Sequence, residues 1–369
     1  MPPPGGERCV RCETREVSDV RVVVTGATGN VGTSVLESLG RDPQVDEILG
    51  LARRIPNAAF EKTTWRRADV TETDLVPLFE GADVVIHLAW LIQPSRDEAA
   101  TRRVNVDGSA RVFAAVARAG VPALVYASSV GAYAPGPTDR AVDESWPTSG
   151  VQSSFYSRHK AQVERLLDDF EVSNPEVRTV RPRPALIFKA EAATEIRRLF
   201  MGPLLPSPLL RRKWLGVLPY PRGLHTQAVH SADVGEAYRL AATQPVSGAF
   251  NIAAEPVLDL DVLSQTLQAR PLELPAKLVR HAAWVSWKLR LQPTSPGWLD
   301  MGMATPIMDI SRAHAELGWQ PKITAEQAVL ELLDGLRRQA ELDTPPLSRR
   351  TSGPFRWREL RSGVGATDQ

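Results

Sequence analysis

Two side chains able to share a proton stand one helical turn apart in SSFYSRHKAQVERLL, residues 153–167. Tyr156 and Lys160 are at i and i+4, the spacing that sets side chains together on one helix face. A free phenol, with a pKa near ~10, is a poor base at neutral pH. A neighbouring ammonium favours the phenolate and lowers that value. Such a pair suits the proton transfer that accompanies a redox step at an oxygen-bearing carbon. Upstream, LVYASSVGAY (124–133) ends a strand-like run with Ser128 and Ser129, whose hydroxyls can bond a reacting oxygen. A surface tyrosine and lysine, and serines capping a loop, are the plainer alternatives.

A redox step needs a carrier, and VRVVVTGATGNVG (20–32) offers a place for one. Gly26, Gly29 and Gly32 follow a valine-rich strand and open a helix. That context assigns the first glycine to a tight turn, the second to backbone approach toward a pyrophosphate, and the third to close helix–strand packing. The helix start adds free N–H groups and a positive dipole end. A glycine-rich turn with no ligand is the competing account. At the end of the second strand, where an NAD site places an acid for the ribose 2′-OH, the sequence is LARRIP (51–56). Arg53 and Arg54 suit a 2′-phosphate, so NADP is expected in preference to NAD.

The elements that must hold these groups alternate. Short apolar runs at 20–25, 47–52, 83–89, 123–129 and 178–183 read as buried strands. Helical patterns at 31–39, 73–79, 97–119 and 155–170 separate them. The alternation predicts an α/β fold, a doubly wound parallel sheet. A further strand is expected at 249–253. Later helices are expected at 258–268, 278–290 and 309–318, and from a capping box at Thr324 and Gln327 to about residue 340. The division that follows is a leader (1–19), a dinucleotide-binding domain (20–187), a smaller substrate lobe partly interleaved with the sheet (188–341), and a disordered Arg-rich tail (342–369).

Composition excludes several classes. With 44 Lys and Arg against 43 Asp and Glu, the net charge of +1 gives no support to nucleic-acid or membrane affinity. No apolar stretch approaches the ~20 residues that span a bilayer. The leader lacks the apolar core of a secretory signal, which places the protein in the cytoplasm. Cys9 and Cys12 form a C-x-x-C with no second pair, so no metal site is expected. His225 and His230 read as structural, and Asp233 as the cap of a following helix. Arg197, Arg198, Arg211 and Arg212 read as solvated, as do Arg349, Arg350, Arg356, Arg358 and Arg361 in the tail.

Taken in order, the motifs resemble the extended short-chain dehydrogenase/reductases of the NAD-dependent epimerase/dehydratase family. They are TGATGNVG (25–32), ADVTETDL (68–75), VVIHLAW (84–90), NVDGSARVFAAVARAGV (105–121), LVYASSVGAY, YSRHK (156–160), VRPRPALIF (180–188), AVHSADVGEAY (228–238), FNIAA (250–254) and DISRAHAELGWQP (309–321), together covering residues 20–340. The resemblance implies a Rossmann fold in which Gly26, Gly29 and Gly32 cradle the pyrophosphate with Thr28, Asn30 and Val31. It implies that Asp69 and Val70 flank the adenine, and that Leu88 and Ala89 line the cofactor. Pro182 and Ala185 would touch the nicotinamide. Asn105 would help the proton relay, Ser129 would be the catalytic serine with Ser128 as the fallback, Tyr156 the acid/base, and Lys160 its tuner and ribose ligand. A homodimer is expected by analogy.

Departures from the family pattern bear on the substrate. Pro184 stands where sugar-nucleotide members commonly carry Asn, and Phe188-Lys189 replaces a Gly-Pro-like turn. Ala89-Trp90 replaces Ala-Ala. Trp90, Tyr133 and Phe188 point to an apolar substrate pocket, together with Ser129. The leading expectation is a small-molecule oxidoreductase acting on a secondary alcohol or ketone. The alternatives are an epimerase or dehydratase holding NAD tightly for a sugar nucleotide, and a dinucleotide sensor without turnover.

Overall fold

A computed structural model describes residues 20–93, 96–201 and 216–348. The leader with its C-x-x-C, Arg211, Arg212 and the arginines from Arg349 onward lie outside the described residues. Seven parallel strands form the central sheet. Their order is Gly248–Ile252, Arg178–Pro184, Ala123–Tyr126, Val84–His87, Val20–Thr25, Val45–Ala52 and Thr63–Arg67. Valine alternation in the first strand explains the layering, because successive side chains point to opposite faces. Val22 and Val24 face helices Asn30–Gly40 and Ser231–Thr243. Val23 faces the side of helices Gly108–Arg118 and Phe155–Ser173. Parallel strands covered on both faces need apolar residues at nearly every position.

The two helices on the first side touch closely. A Cβ on Gly235 would lie 2.4 Å from the Ser34 carbonyl oxygen, so only glycine fits. The strand Gly248–Ile252 and the helix Ser231–Thr243 thus bring the chain after residue 188 back into the sheet. Trp319, 1% exposed, donates its indole N–H to the Asp233 carbonyl at 2.8 Å. Asp233 does not cap the helix as expected. The His230 ring accepts from Ala232 N instead, and the Asp233 carboxylate accepts from Ile323 N at 3.0 Å. A small sheet, Leu186–Phe188, Thr226–His230 and Ala254–Leu258, supports the second lobe.

The helix that carries Tyr156 and Lys160 is fixed by charge as well as by packing. Glu164, one turn beyond Lys160, is fully buried. Arg183 donates to its two oxygens at 2.9 and 3.0 Å, Arg181 donates at 2.9 Å, and Ser128 donates through its hydroxyl. Burial pushes the Glu164 carboxyl up, but the two guanidiniums and Ser128 outweigh it and hold the pKa at about 2. Both arginines come from the strand Arg178–Pro184, so the clamp sets the rotation of the helix against the sheet.

Residues 342–348 correct an expectation of disorder. Thr344 is 1% exposed and Leu347 is fully buried.

Removing Glu164 leaves two buried cations without their shared partner. Glu164→Ala is expected to lower unfolding free energy by about 3–5 kcal/mol. Urea unfolding checks this, and a loss under ~1 kcal/mol would mean the clamp is not holding the helix. The depressed carboxyl contributes stability above its unfolded pKa, and that contribution is lost as pH falls toward 2.

Candidate active site

The glycine loop sits where strand becomes helix, and its steric demands are visible. Gly26 has φ +69°, and a Cβ there would lie 2.6 Å from Ala89 N. A Cβ on Gly32 would lie 2.4 Å from the Gly26 carbonyl oxygen. Gly29 meets nothing closer than 3.6 Å, so its missing side chain keeps space open above the loop rather than relieving a contact. Gly29 is also the N-cap of helix Asn30–Gly40 and supplies no capping side chain. That leaves the helix start to an anion. These features fit a dinucleotide pyrophosphate.

A cavity runs across the carboxyl ends of the strands. Its walls include Gly26, Thr28 and Gly29, then Arg53 and Arg54, then Asp69 and Val70, and finally Leu88, Ala89 and Trp90. Arg198 closes the other side with Gln93, Glu195, Leu199 and Pro346, four residues that the sequence reading missed. Arg198 is 6% exposed, so it is not the solvated arginine expected. Pro346 stands in a Pro- and Ser-rich stretch that carries no pattern to mark it.

Other expected contacts have structural partners of their own or lie elsewhere. Asn30 and Val31 begin the helix behind the loop. The Asn30 amide donates to the Ile187 carbonyl at 3.2 Å. Asp69 accepts from Thr71 through both N and hydroxyl, at 2.8 and 2.6 Å, and so shapes its own turn. Pro182 pairs with Phe250 within the sheet, and Ala185 donates to Ile252. Neither lines the cavity. Tyr133 corrects the expected substrate pocket. It is fully buried and gives its hydroxyl proton to Asn251 at 2.6 Å, while Arg183 donates to it at 3.0 Å. Phe188 packs against Ala228, Ala254 and Leu258 under the second lobe.

A buried relay fixes the backbone next to the loop. The Ser109 hydroxyl donates to the Asn105 carbonyl at 2.6 Å, so it accepts from His87 Nε2 at 2.9 Å. His87 Nδ1 then accepts from the Thr25 hydroxyl at 2.7 Å. Burial and the nearby Lys160 push the His87 pKa down to about 3, so the ring is neutral. Asn105, fully buried, clasps Leu91 with both ends of its amide. It accepts from Leu91 N at 2.7 Å and donates to Leu91 O at 2.8 Å. Its role in this structure is to hold the segment that carries Trp90.

Trp90 stands between the cavity and the Tyr156–Lys160 pair. Its ring centroid is 3.5 Å from Lys160 Nζ and 5.8 Å from the Tyr156 ring. Trp298 covers Tyr156 from another side, with centroids 4.8 Å apart. Lys160 also donates to the Ala127 carbonyl at 2.6 Å. Ser128 is committed to Glu164, whereas Ser129 hydrogen-bonds Tyr156. Gly131 permits this approach, since a Cβ there would lie 2.9 Å from Tyr156 Cε1.

The expected lowering of the phenol does not hold in this enclosure. Desolvation pushes Tyr156 up to about 12, against the pull of the Ser129 hydrogen bond. Desolvation also pulls Lys160 down to about 7, with Glu164 opposing. Burial is thus the larger effect on both groups.

The family follows from a direct match. Residues 22–253 match the NAD dependent epimerase/dehydratase family. The chain belongs to this family. Its seven-stranded parallel sheet is the Rossmann type. The chain is 26% identical over 313 residues to an uncharacterized protein of Mycobacterium tuberculosis, Rv2047c, covering 84% of this chain but only 29% of that protein. It is 25% identical over 347 residues to the Stigmatella aurantiaca 4-hydroxy-2-methyl-3-oxo-4-farnesyl-3,4-dihydroquinoline-1-oxide ketoreductase, covering 86% of this chain and 96% of the relative. The fold resembles UDP-glucose-4-epimerase from Stenotrophomonas maltophila, solved with bound NAD, at TM-score 0.65 and 19% identity, covering 87% and 98% of the two chains. No described helix is long and apolar enough to cross a membrane.

Because Lys160 is held near 7 when folded and titrates near 10.5 when unfolded, the unfolded chain binds more protons between those values. Stability of the cofactor-free protein should therefore rise with pH from about 7 to 10.5 by this group. Lys160→Met should flatten that rise in thermal melts. An unchanged slope would show that the lysine stays charged in the fold.

Proposed function

We propose that the enzyme is an NADP-preferring reductase of ketones, passing hydride between the nicotinamide and a secondary alcohol or ketone carbon. The observation that carries this reading is Tyr156. It is a buried phenol, pushed up to about 12 by desolvation against the pull of the Ser129 hydrogen bond, and walled by Trp90 and Trp298. A protonated phenol is a donor, and a carbonyl accepting hydride needs a proton on its oxygen.

When bound, the nicotinamide supplies hydride at its C4. The Ser129 hydroxyl holds the substrate oxygen, and Tyr156 gives it the proton as that oxygen becomes a hydroxyl. Lys160 stabilises the phenolate left behind. The two indoles keep water from the reacting carbon. Arg53 and Arg54, at the cavity wall beside the second strand, support the 2′-phosphate of NADP. The ketoreductase relative supports a carbonyl substrate. Pro184 and the aromatic enclosure favour a ketone over a sugar nucleotide.

The first test is to denature gently purified protein, identify any released nucleotide, and titrate emptied protein with NADPH and NADH. Empty protein preferring NADPH supports the reductase. Stoichiometric, tightly held NAD overturns it in favour of an internal oxidation–reduction cycle. Replacing Arg53 and Arg54 together with alanine should weaken NADPH by roughly 10–100-fold and NADH far less, as loss of charge-assisted hydrogen bonds predicts. Equal losses would remove the NADP assignment. Tyr156→Phe should lower turnover against a carbonyl panel by about 10²–10⁴-fold while leaving cofactor binding in place. Near-normal turnover would exclude Tyr156 as the proton donor.

A further inference from the structure

We propose that the segment 342–348, which places Pro346 in the wall of the dinucleotide site, sets how long a dinucleotide stays bound there. The helix Ala325–Arg338, the last among the described residues, ends at Gln339 in a left-handed conformation. The Ala340 carbonyl then accepts from the Thr194 hydroxyl at 3.3 Å, which ties the exit of the helix to the lobe carrying Glu195 and Arg198. From there the chain crosses to the glycine loop. Thr344 donates its hydroxyl to the Thr28 carbonyl at 2.9 Å, a contact between residues 316 apart in sequence. Leu347 N and Ser348 N fold back on the Thr344 carbonyl at 3.1 and 2.9 Å. That turn buries Leu347 completely and sets Pro346 into the cavity wall beside the glycine loop.

The position matters because Thr28 lies between Gly26 and Gly29. The peptide planes of this loop must keep their orientation for the backbone to approach a pyrophosphate. A hydrogen bond from outside the loop to a buried carbonyl holds that orientation, and a buried acceptor left without its donor is costly. Thr344, Pro346 and Leu347 carry no charge and reach no reacting atom, so they are positioning residues. The strap is a short segment beyond the helix Ala325–Arg338 with no regular secondary structure, the class of structure that opens locally at far less cost than global unfolding. Its opening exposes the loop side of the cavity. A dinucleotide leaves fastest when the strap is released.

The inference rests on the loop being a dinucleotide site, and the test separates the two. NADPH preloaded on the full-length protein is displaced by excess NADP, and its dissociation is followed by fluorescence. Thr344→Val should raise the dissociation rate about tenfold, the equivalent of one hydrogen bond. Thr344→Ser should stay near wild type. Leu347→Ala, and a chain ended after Leu342, should dissociate faster still. Hydrogen exchange over residues 342–348 should slow when NADPH is bound. Unchanged dissociation in Thr344→Val and Leu347→Ala, with only a lower melting temperature, would overturn the proposal. If the shortened chain does not fold, the Val and Ser variants decide it. Failure of the wild type to bind either nucleotide would overturn the functional reading first, and the strap with it.

Discussion

The burial of one carboxylate organises this enzyme. Glu164 cannot remain charged in the interior unless nearly every lone pair is met, and two arginines and a serine meet them. Because the arginines sit on a strand and the glutamate on a helix, satisfying the charge fixes the helix in rotation. Tyr156, Lys160 and Glu164 recur every four residues, so fixing the third places the first two. Arg183 extends the clamp to Tyr133, and Tyr133 to Asn251 on the last strand of the sheet. The same carboxylate holds up the pKa of Lys160. The residue that sets the position of the pair thus also opposes the effect of burial on Lys160.

On the other side of the site the controlling constraint is steric. Backbone passes backbone so closely at Gly26 and Gly32 that no side chain fits. The Thr25–His87–Ser109–Asn105 relay continues this precision from the loop to Leu91, using a neutral imidazole that cannot switch near physiological pH. Trp90 is held at the end of that relay. The glycine loop and the Tyr156–Lys160 pair are therefore positioned by separate networks that meet at one indole.

Much of this order is written locally and could be read from the chain. The strand at 20–25 is found with the expected bounds, because a valine run between a charged segment and a glycine turn has one reading. The glycine loop, the Tyr–Lys spacing and the capping box at Thr324 are also short-range patterns. The edge strand Thr63–Arg67 escaped notice because it is polar and half-exposed, with no apolar run to mark it. Tyr133 looked like a pocket residue as one of three aromatics near the expected site, but its environment is decided by Arg183 and Asn251, distant in sequence. Thr344 and Leu347 were hidden for the same reason. A Pro- and Ser-rich stretch gives no sign that the glycine loop, more than 300 residues earlier, will bury it.

The pKa values of Tyr156 and Lys160 follow from the same dependence on distant neighbours. Spacing alone suggested an ammonium lowering a phenol. The fold adds desolvation, which disfavours charge on both groups and so opposes that coupling. Trp90 and Trp298 are the main covers over the pair, and Trp90 lies against Lys160 itself. An indole face supports a cation through its quadrupole but offers it no hydrogen-bond acceptor. A polar group taking the place of that face would favour the charged lysine, and the charged lysine would in turn favour the phenolate. The protonation of Tyr156 is then set by its enclosure more than by its spacing from Lys160.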